Sequence, residues 1–159
     1  MMRCCAFGTV RMDIHAYHDI NDIDGREEIK IDEMSMTVGG SVYNTVSVLN
    51  ALNLDVTLYM LNTNDDFADF IKIKLNRRNV NYISCKQDQN DTATSLIFVD
   101  KTGKKKMISY DGVRQDHFIL NKLLRDVDQY DLFYTSFYEV NTNNCSDILN
   151  IMSLSKKFY

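Results

Sequence analysis

A carboxylate, a glycine pair and a carboxamide stand at Asp13, Gly39-Gly40 and Asn44, in a chain that has only 6 glycines in 159 residues. Asp13 can accept hydrogen bonds from two hydroxyls, Asn44 can both donate and accept, and a glycine pair lets a ligand come close to the backbone. A polyol needs such groups, because a hydroxyl left unpaired in a closed site costs about 1–3 kcal/mol. Taken singly, the same residues have plainer and commoner roles. Asp13 could cap a turn, Asn44 could bond backbone in a first helical turn, and Gly39-Gly40 could be a tight strand-to-helix connection.

Two further groups carry chemical potential. Asp13, His15 and His18 form D-x-H-x2-H, a spacing that could ligate a metal, although a solvated loop is the commoner reading and no fourth ligand is evident. Glu139 closes an aromatic run and could approach a ligand from a strand terminus, the usual binding edge of an open α/β sheet. The chain has no G-x-G-x-x-G, no G-x4-G-K-[ST] and no G-x-S-x-G. Dinucleotide, P-loop and elbow-hydrolase chemistry therefore fall away.

The elements that must position these groups follow from periodicity. Arg3 to Val10 reads as a buried strand ending at Gly8, after which the chain is expected to turn through Asp13. Glu28 to Met34 alternates polar and apolar, as a strand with one solvated face should, and predicts a projecting flap over 27–38. Val42, Val46 and Leu49 then recur at helical spacing from Gly39 to Leu52. Val56 to Leu61 is a second buried strand. Asn64 or Asp65 can cap a helix whose apolar stripe is Phe67, Phe70, Ile71 and Leu75, and Val80 to Cys85 is a weaker strand.

Thr94 to Val99 and Lys106 to Tyr110 flank Asp100-Lys101-Thr102-Gly103, the residues of a hairpin turn, with Lys104 and Lys105 keeping it solvated. Ile119, Leu120, Leu123, Leu124 and Val127 predict a helix after Asp116. Asp131 to Tyr138 is a short aromatic strand, and 141–154 a last helix without an obvious covering partner. Alternating strands and helices imply an α/β fold with a mainly parallel sheet, and the alternating segments imply a small extra sheet beside it.

Composition bounds the partners. A mass of 18.5 kDa allows one ordinary domain or part of one. A net charge of −4 with a single basic run, Lys104-Lys105-Lys106, excludes a nucleic-acid surface. No apolar run approaches bilayer length, and Met1-Met2-Arg3-Cys4-Cys5 leads into a strand, so no membrane association and a cytoplasmic location are expected. Cys4, Cys5, Cys85 and Cys145 lack zinc spacing and are expected to be reduced and mostly buried. With Pro absent, turns must be made largely by Asn and Asp.

The motif order Phe7-Gly8-Thr9-Val10-Arg11-Met12-Asp13, Gly39-Gly40 with Asn44, and Thr63-Asn64-Asp65-Asp66-Phe67-Ala68-Asp69-Phe70 resembles the start of a ribokinase-like (PfkB-family) carbohydrate kinase. Thr92 to Asp100 with Gly103 resembles that family's second flap hairpin, and Asp131 to Ser136 the strand after it. The resemblance runs over nearly the whole chain. It implies a partial three-layer α/β fold, residues 1–159 forming the N-terminal half of one kinase domain with flap segments at about 14–38 and 92–111. It implies that Asp13, Gly39, Gly40 and Asn44 bind a sugar or nucleoside, with ATP and Mg as cofactors of the complete enzyme.

The family's later D-T-x-G-A-G-D motif, with its phosphate-holding glycines and catalytic base, is not in this chain. No catalytic residue is therefore assigned, and the chain alone is expected to be inactive. The alternative is a non-catalytic polyol-binding or subunit-interaction protein derived from a kinase half. A homodimer through the flap, or a separate C-terminal half, is a candidate partner. Two departures stand out. Val42-Tyr43 replaces small residues, so that Tyr43 could narrow the pocket or offer an aromatic sugar contact, and Asn53, Asn64 and Asn79 replace turn glycines, Asn being the best substitute in left-handed geometry.

Overall fold

The apolar runs at residues 3–7 and 55–62 become neighbouring strands of a sheet covered on both faces, which is why they lack a polar side. The computed structural model describes residues 2–22, 25, 27–86, 91–112 and 116–158. Four parallel strands form this core sheet in the order β5 (Asn81–Lys86), β4 (Asp55–Asn62), β1 (Arg3–Phe7) and β8 (Leu132–Thr135). Alternation along β1 splits its side chains between two apolar clusters. Cys4 and Ala6 join Val42, Val46, Ile71 and Leu75 from the helices α1 (Ser41–Ala51) and α2 (Asp66–Arg77). Cys5 and Phe7 join Ile119, Leu123, Ile148 and Ile151 from α3 (Asp116–Asp126) and α4 (Cys145–Leu154). This is the three-layer arrangement expected for the fold.

The helix ends explain how a chain without proline punctuates itself. Asn53 and Asn79 take φ of 59° and 51°. Leu54 N–H donates to Leu49 O and Asn53 N–H to Asn50 O, and the bonds from Val80 to Leu75 and from Asn79 to Asn76 repeat the pattern. Both are Schellman closures in which Asn does the work usually left to glycine. Asn64 differs: its φ is not positive, and it only leads into Asp65, whose carboxylate caps α2 by accepting from Ala68 N–H at 2.8 Å.

A second four-stranded sheet projects from the first, in the order β3 (Glu33–Gly39), β2 (Arg11–Tyr17), β6 (Thr94–Val99) and β7 (Lys105–Tyr110). β2 runs antiparallel to β3 and parallel to β6, and β6 and β7 form the expected hairpin. Residues 11–17 are therefore strand and not the turn expected at Asp13, and the first flap segment starts at Arg11. The polar residues of Arg-Met-Asp-Ile-His-Ala-Tyr hide a strict alternation, in which Met12 and Ala16 are buried on one face while Arg11, Asp13 and His15 share the other.

Two other boundaries move. The aromatic strand stops at Thr135 and continues as a 3-10 turn, Phe137–Glu139. The last helix begins at Cys145, and it is covered, since Ile148 and Ile151 pack in the cluster with α3. Beyond it, Phe133 N–H donates to Lys157 O at 2.8 Å and Phe133 bridges Phe158 in parallel, so the chain returns along the outer side of β8. The four cysteines are free, and Cys4 and Cys5 are buried, but Cys145 is exposed and Cys85 only half-buried.

Candidate functional site

The C-terminal ends of β1 and β8, the start of α1 and the inner face of the flap sheet enclose a cleft of about 570 Å³. Strand register composes its flap wall. Thr37, Asp13, Ser95 and Ser109 stand in one row across β3, β2, β6 and β7, and Ile97 and Met107 are paired in the next row with His15. Asp13, Ser95, Ser109 and Met107 of these rows line the cleft. Across from them lie Thr9, Gly40, Ser41 and Asn44, and the segment after β8 adds Tyr138, Glu139 and Asn141.

Of the four residues singled out in the sequence, Asp13, Gly40 and Asn44 line this one cleft. Gly39 lies beneath it, and a Cβ placed there would overlap the Asp13 carboxylate, so the missing side chain is the seat in which Asp13 sits. Gly40 has φ of 111°, and a Cβ there would run into the carbonyl of Thr9. Glycine is required at 40, where the clash is with backbone and φ is positive, whereas a side chain at 39 would displace the Asp13 carboxylate. Oδ1 of Asp13 is buried without a hydrogen-bond partner. That burial pushes the carboxyl above its ordinary value, against the pull of the Ser95 hydroxyl, Arg11 and His15. Asn44 N–H bonds Gly40 O in the helix at 2.9 Å, and the Asn44 side chain is exposed at the cleft wall.

Other cleft residues were not evident as a group. Arg11 donates from Nη1 to Ser95 Oγ at 3.3 Å and from Nη2 to Asp111 Oδ1 at 2.8 Å, joining three strand segments of the flap. Thr9 Oγ1 donates to Glu139 Oε2 at 2.8 Å, and Glu139 is buried just beyond the end of β8, on the cleft wall. The alternation of β2 was the signal that could have placed Arg11 beside Asp13. Ser95 and Ser109 face each other in the expected hairpin but come beside Asp13 only through the long-range pairing of β2 with β6, and Tyr138 enters from the 3-10 turn after β8.

Two candidate roles move. Tyr43 is only 2% exposed and packs in the core cluster, its hydroxyl accepting from Arg78 Nη1 at 3.1 Å, so it neither narrows the pocket nor faces a sugar. His15 shares a hydrogen bond with Thr37 Oγ1 at 3.2 Å and His18 lies 3.8 Å from Asp32, so Asp13, His15 and His18 do not converge on one point. Among the described residues no group of three His, Cys, Asp or Glu side chains is placed to hold a metal ion.

The flap is anchored at Asp65. Its Oδ2 accepts from Thr92 N–H, and its Oδ1 from the hydroxyls of Thr92 and Thr63 at 2.6 and 3.2 Å as well as from the α2 cap. Although burial works to raise it, hydrogen bonds from Thr92, Ala68 and Thr63 hold the Asp65 carboxyl below the ordinary carboxylate value. Among the described residues, no helix is long and apolar enough to cross a membrane.

Comparison with known proteins places this geometry. The family described as pfkB family carbohydrate kinase matches residues 1–158. No curated protein sequence matches the chain. Among solved structures, a ribokinase from Giardia lamblia is similar at 14% identity and a TM-score of 0.83, over 99% of this chain and 49% of that one. An adenosine kinase from Sinorhizobium meliloti is similar at 16% identity and a TM-score of 0.74, over 99% and 55%. A ribokinase from Cryptococcus neoformans var. grubii serotype A in complex with ADP is similar at 16% identity and a TM-score of 0.71, over 99% and 49%. The chain spans about half the length of the solved structures it matches.

Proposed function

The chain belongs to the pfkB family of carbohydrate kinases, and from that premise we propose that its cleft holds the alcohol acceptor of an ATP-dependent phosphoryl transfer, a sugar or nucleoside. The observation that carries this reading is the Asp13 carboxylate, half of it buried without a partner on the wall of a cleft that also presents Asn44 and Gly40. A buried acceptor atom with no donor is costly unless a ligand supplies one. In this reading Asp13 accepts from two neighbouring hydroxyls, Asn44 pairs a third, and Gly39 and Gly40 give the carboxylate and the ring their room.

ATP and a metal ion supply the phosphoryl group and its charge stabilisation in such a reaction. The residues of this chain do not fit that role: the sequence has no D-T-x-G-A-G-D motif, and the described residues present no metal cluster. The chain is thus read as the N-terminal, acceptor-binding and flap-bearing part of a kinase domain, inactive alone. Turnover of ATP with a sugar by the isolated 159 residues in a coupled assay would contradict that part of the reading.

Calorimetric titration tests the binding. D-ribose or adenosine should bind, and Asp13→Asn should weaken it by about tenfold or more, the effect of losing hydrogen bonds to a charged group. Binding that ignores Asp13 would sink the assignment. One observation favours a subunit-interaction role alongside. The outer face of the flap sheet carries Met34, Met36, Ile108 and Tyr110, all exposed. Apolar surface of that kind supports pairing of two flaps into a homodimer, and sedimentation of wild type against Ile108→Lys distinguishes a dimer from a monomer.

A further inference from the structure

Resting on that acceptor-binding reading, we infer that the acceptor is an uncharged nucleoside, with its base stacked on Tyr138 against Met107 and its ribose at Asp13 and Asn44. Tyr138 follows β8 in the 3-10 turn and is 88% exposed, as extreme as its neighbour Phe137 at 90%. Of these two, Tyr138 lines the cleft, and Met107, 61% exposed, lines it from the flap. Large apolar side chains of this kind are normally withdrawn from water. Here they belong to the same cleft as the hydroxyl-pairing groups.

A flat ring offers what each needs. An aromatic face takes any base by stacking, and a thioether packs favourably against an aromatic ring. A bare pentose would leave both surfaces wet. The cleft volume of about 570 Å³ lies in the range of sites that enclose a ligand larger than a single sugar.

Charge argues in the same direction. Three acids, Asp13, Asp111 and Glu139, line the cleft against one base, Arg11. The guanidinium is already committed to Asp111 at 2.8 Å and Ser95 at 3.3 Å. A phosphate on the acceptor would meet these carboxylates with no uncommitted cation among the described lining residues, which disfavours a sugar phosphate.

The test is calorimetric titration of the purified protein with adenosine, uridine, D-ribose and D-ribose 5-phosphate, repeated with Tyr138→Ala and Tyr138→Phe. Tyr138 is almost wholly exposed, so neither substitution disturbs the core. The expected result is nucleoside binding about tenfold tighter than D-ribose, with ribose 5-phosphate weakest. Tyr138→Ala should remove the nucleoside advantage over D-ribose, and Tyr138→Phe should retain it. Equal affinity for ribose and nucleosides, tightest binding by ribose 5-phosphate, or an unchanged preference in Tyr138→Ala overturns the inference while leaving polyol binding intact. Binding of D-ribose that is indifferent to Asp13→Asn is the separate result that removes the underlying reading.

Discussion

The core sheet and the flap sheet each have four strands, yet different forces hold them. In β1 four of five residues are buried, and its side chains feed apolar clusters on both faces. In β7 all six residues are exposed, and β3 is mostly so. The core is fixed by removing apolar area from water, about 25 cal/mol per Å². The flap depends on ladder hydrogen bonds, on the Arg11–Asp111 pair and on the Asp65 anchor at its root. The cleft joins the two, taking Thr9, Gly40 and Glu139 from the core side and Asp13, Ser95 and Met107 from the flap. Rigid residues can set a ligand's position, while a marginally held sheet can adapt to its shape.

Substitutions should separate the two regions. Leu58→Ala, deep in β4, is expected to cost about 2–5 kcal/mol in urea unfolding by opening a cavity among α1, α2 and β4. A smaller cost there would mean that the core is looser than its burial indicates. Gly40→Ala, at the junction, should cost about 3 kcal/mol, through positive φ and the carbonyl of Thr9 together.

Asp65→Ala should cost about 2 kcal/mol, since it removes a helix cap and leaves Thr92 N–H without its acceptor. Its more telling readout is hydrogen exchange. β6 and β7 should lose protection while β1 and β4 keep theirs, and uniform loss over both sheets would erase the distinction between them.

Asp13→Asn tests the cleft itself. An acid whose folded value is raised holds its proton more tightly when folded. Its carboxylate therefore weakens the fold progressively as pH rises from the ordinary 3.8 through the raised value. The Asn variant should melt higher than wild type at pH 7, and the gain should vanish below pH 3.8. A variant that melts lower at pH 7 would show that Asp13 is structural. Smallest of all, Lys105→Ala in β7 should change stability by less than about 0.5 kcal/mol, as exposed positions do.

The same contrast explains what could be read from the sequence. Strands and helices of the core announce themselves through unbroken apolar runs and 3.6-residue spacing, and Val42, Val46 and Leu75 fall where the pattern places them. β2 escapes because its polar residues face the cleft instead of bulk solvent, and Arg11, Asp13 and His15 look like a loop until the alternation of Met12, Ile14 and Ala16 is followed. Tyr43 misleads in the opposite sense: a helix start beside a binding glycine pair also has a side that faces inward. Ser95 and Ser109 meet within the expected hairpin, but they reach Asp13 only by pairing of β2 with the distant β6, and Tyr138 joins them from the 3-10 turn after β8.

The seat of Asp13 has a consequence for how such a chain can change. Because the carboxylate occupies the volume that any side chain at Gly39 would need, positions 13 and 39 cannot drift independently. A descendant that gains even a methyl group at 39 must move the acid out of its seat. One that has already lost the acid is free to fill the space. The two positions are sterically coupled, and a bulky residue at 39 in a relative would mark a cleft in which the acid stands elsewhere.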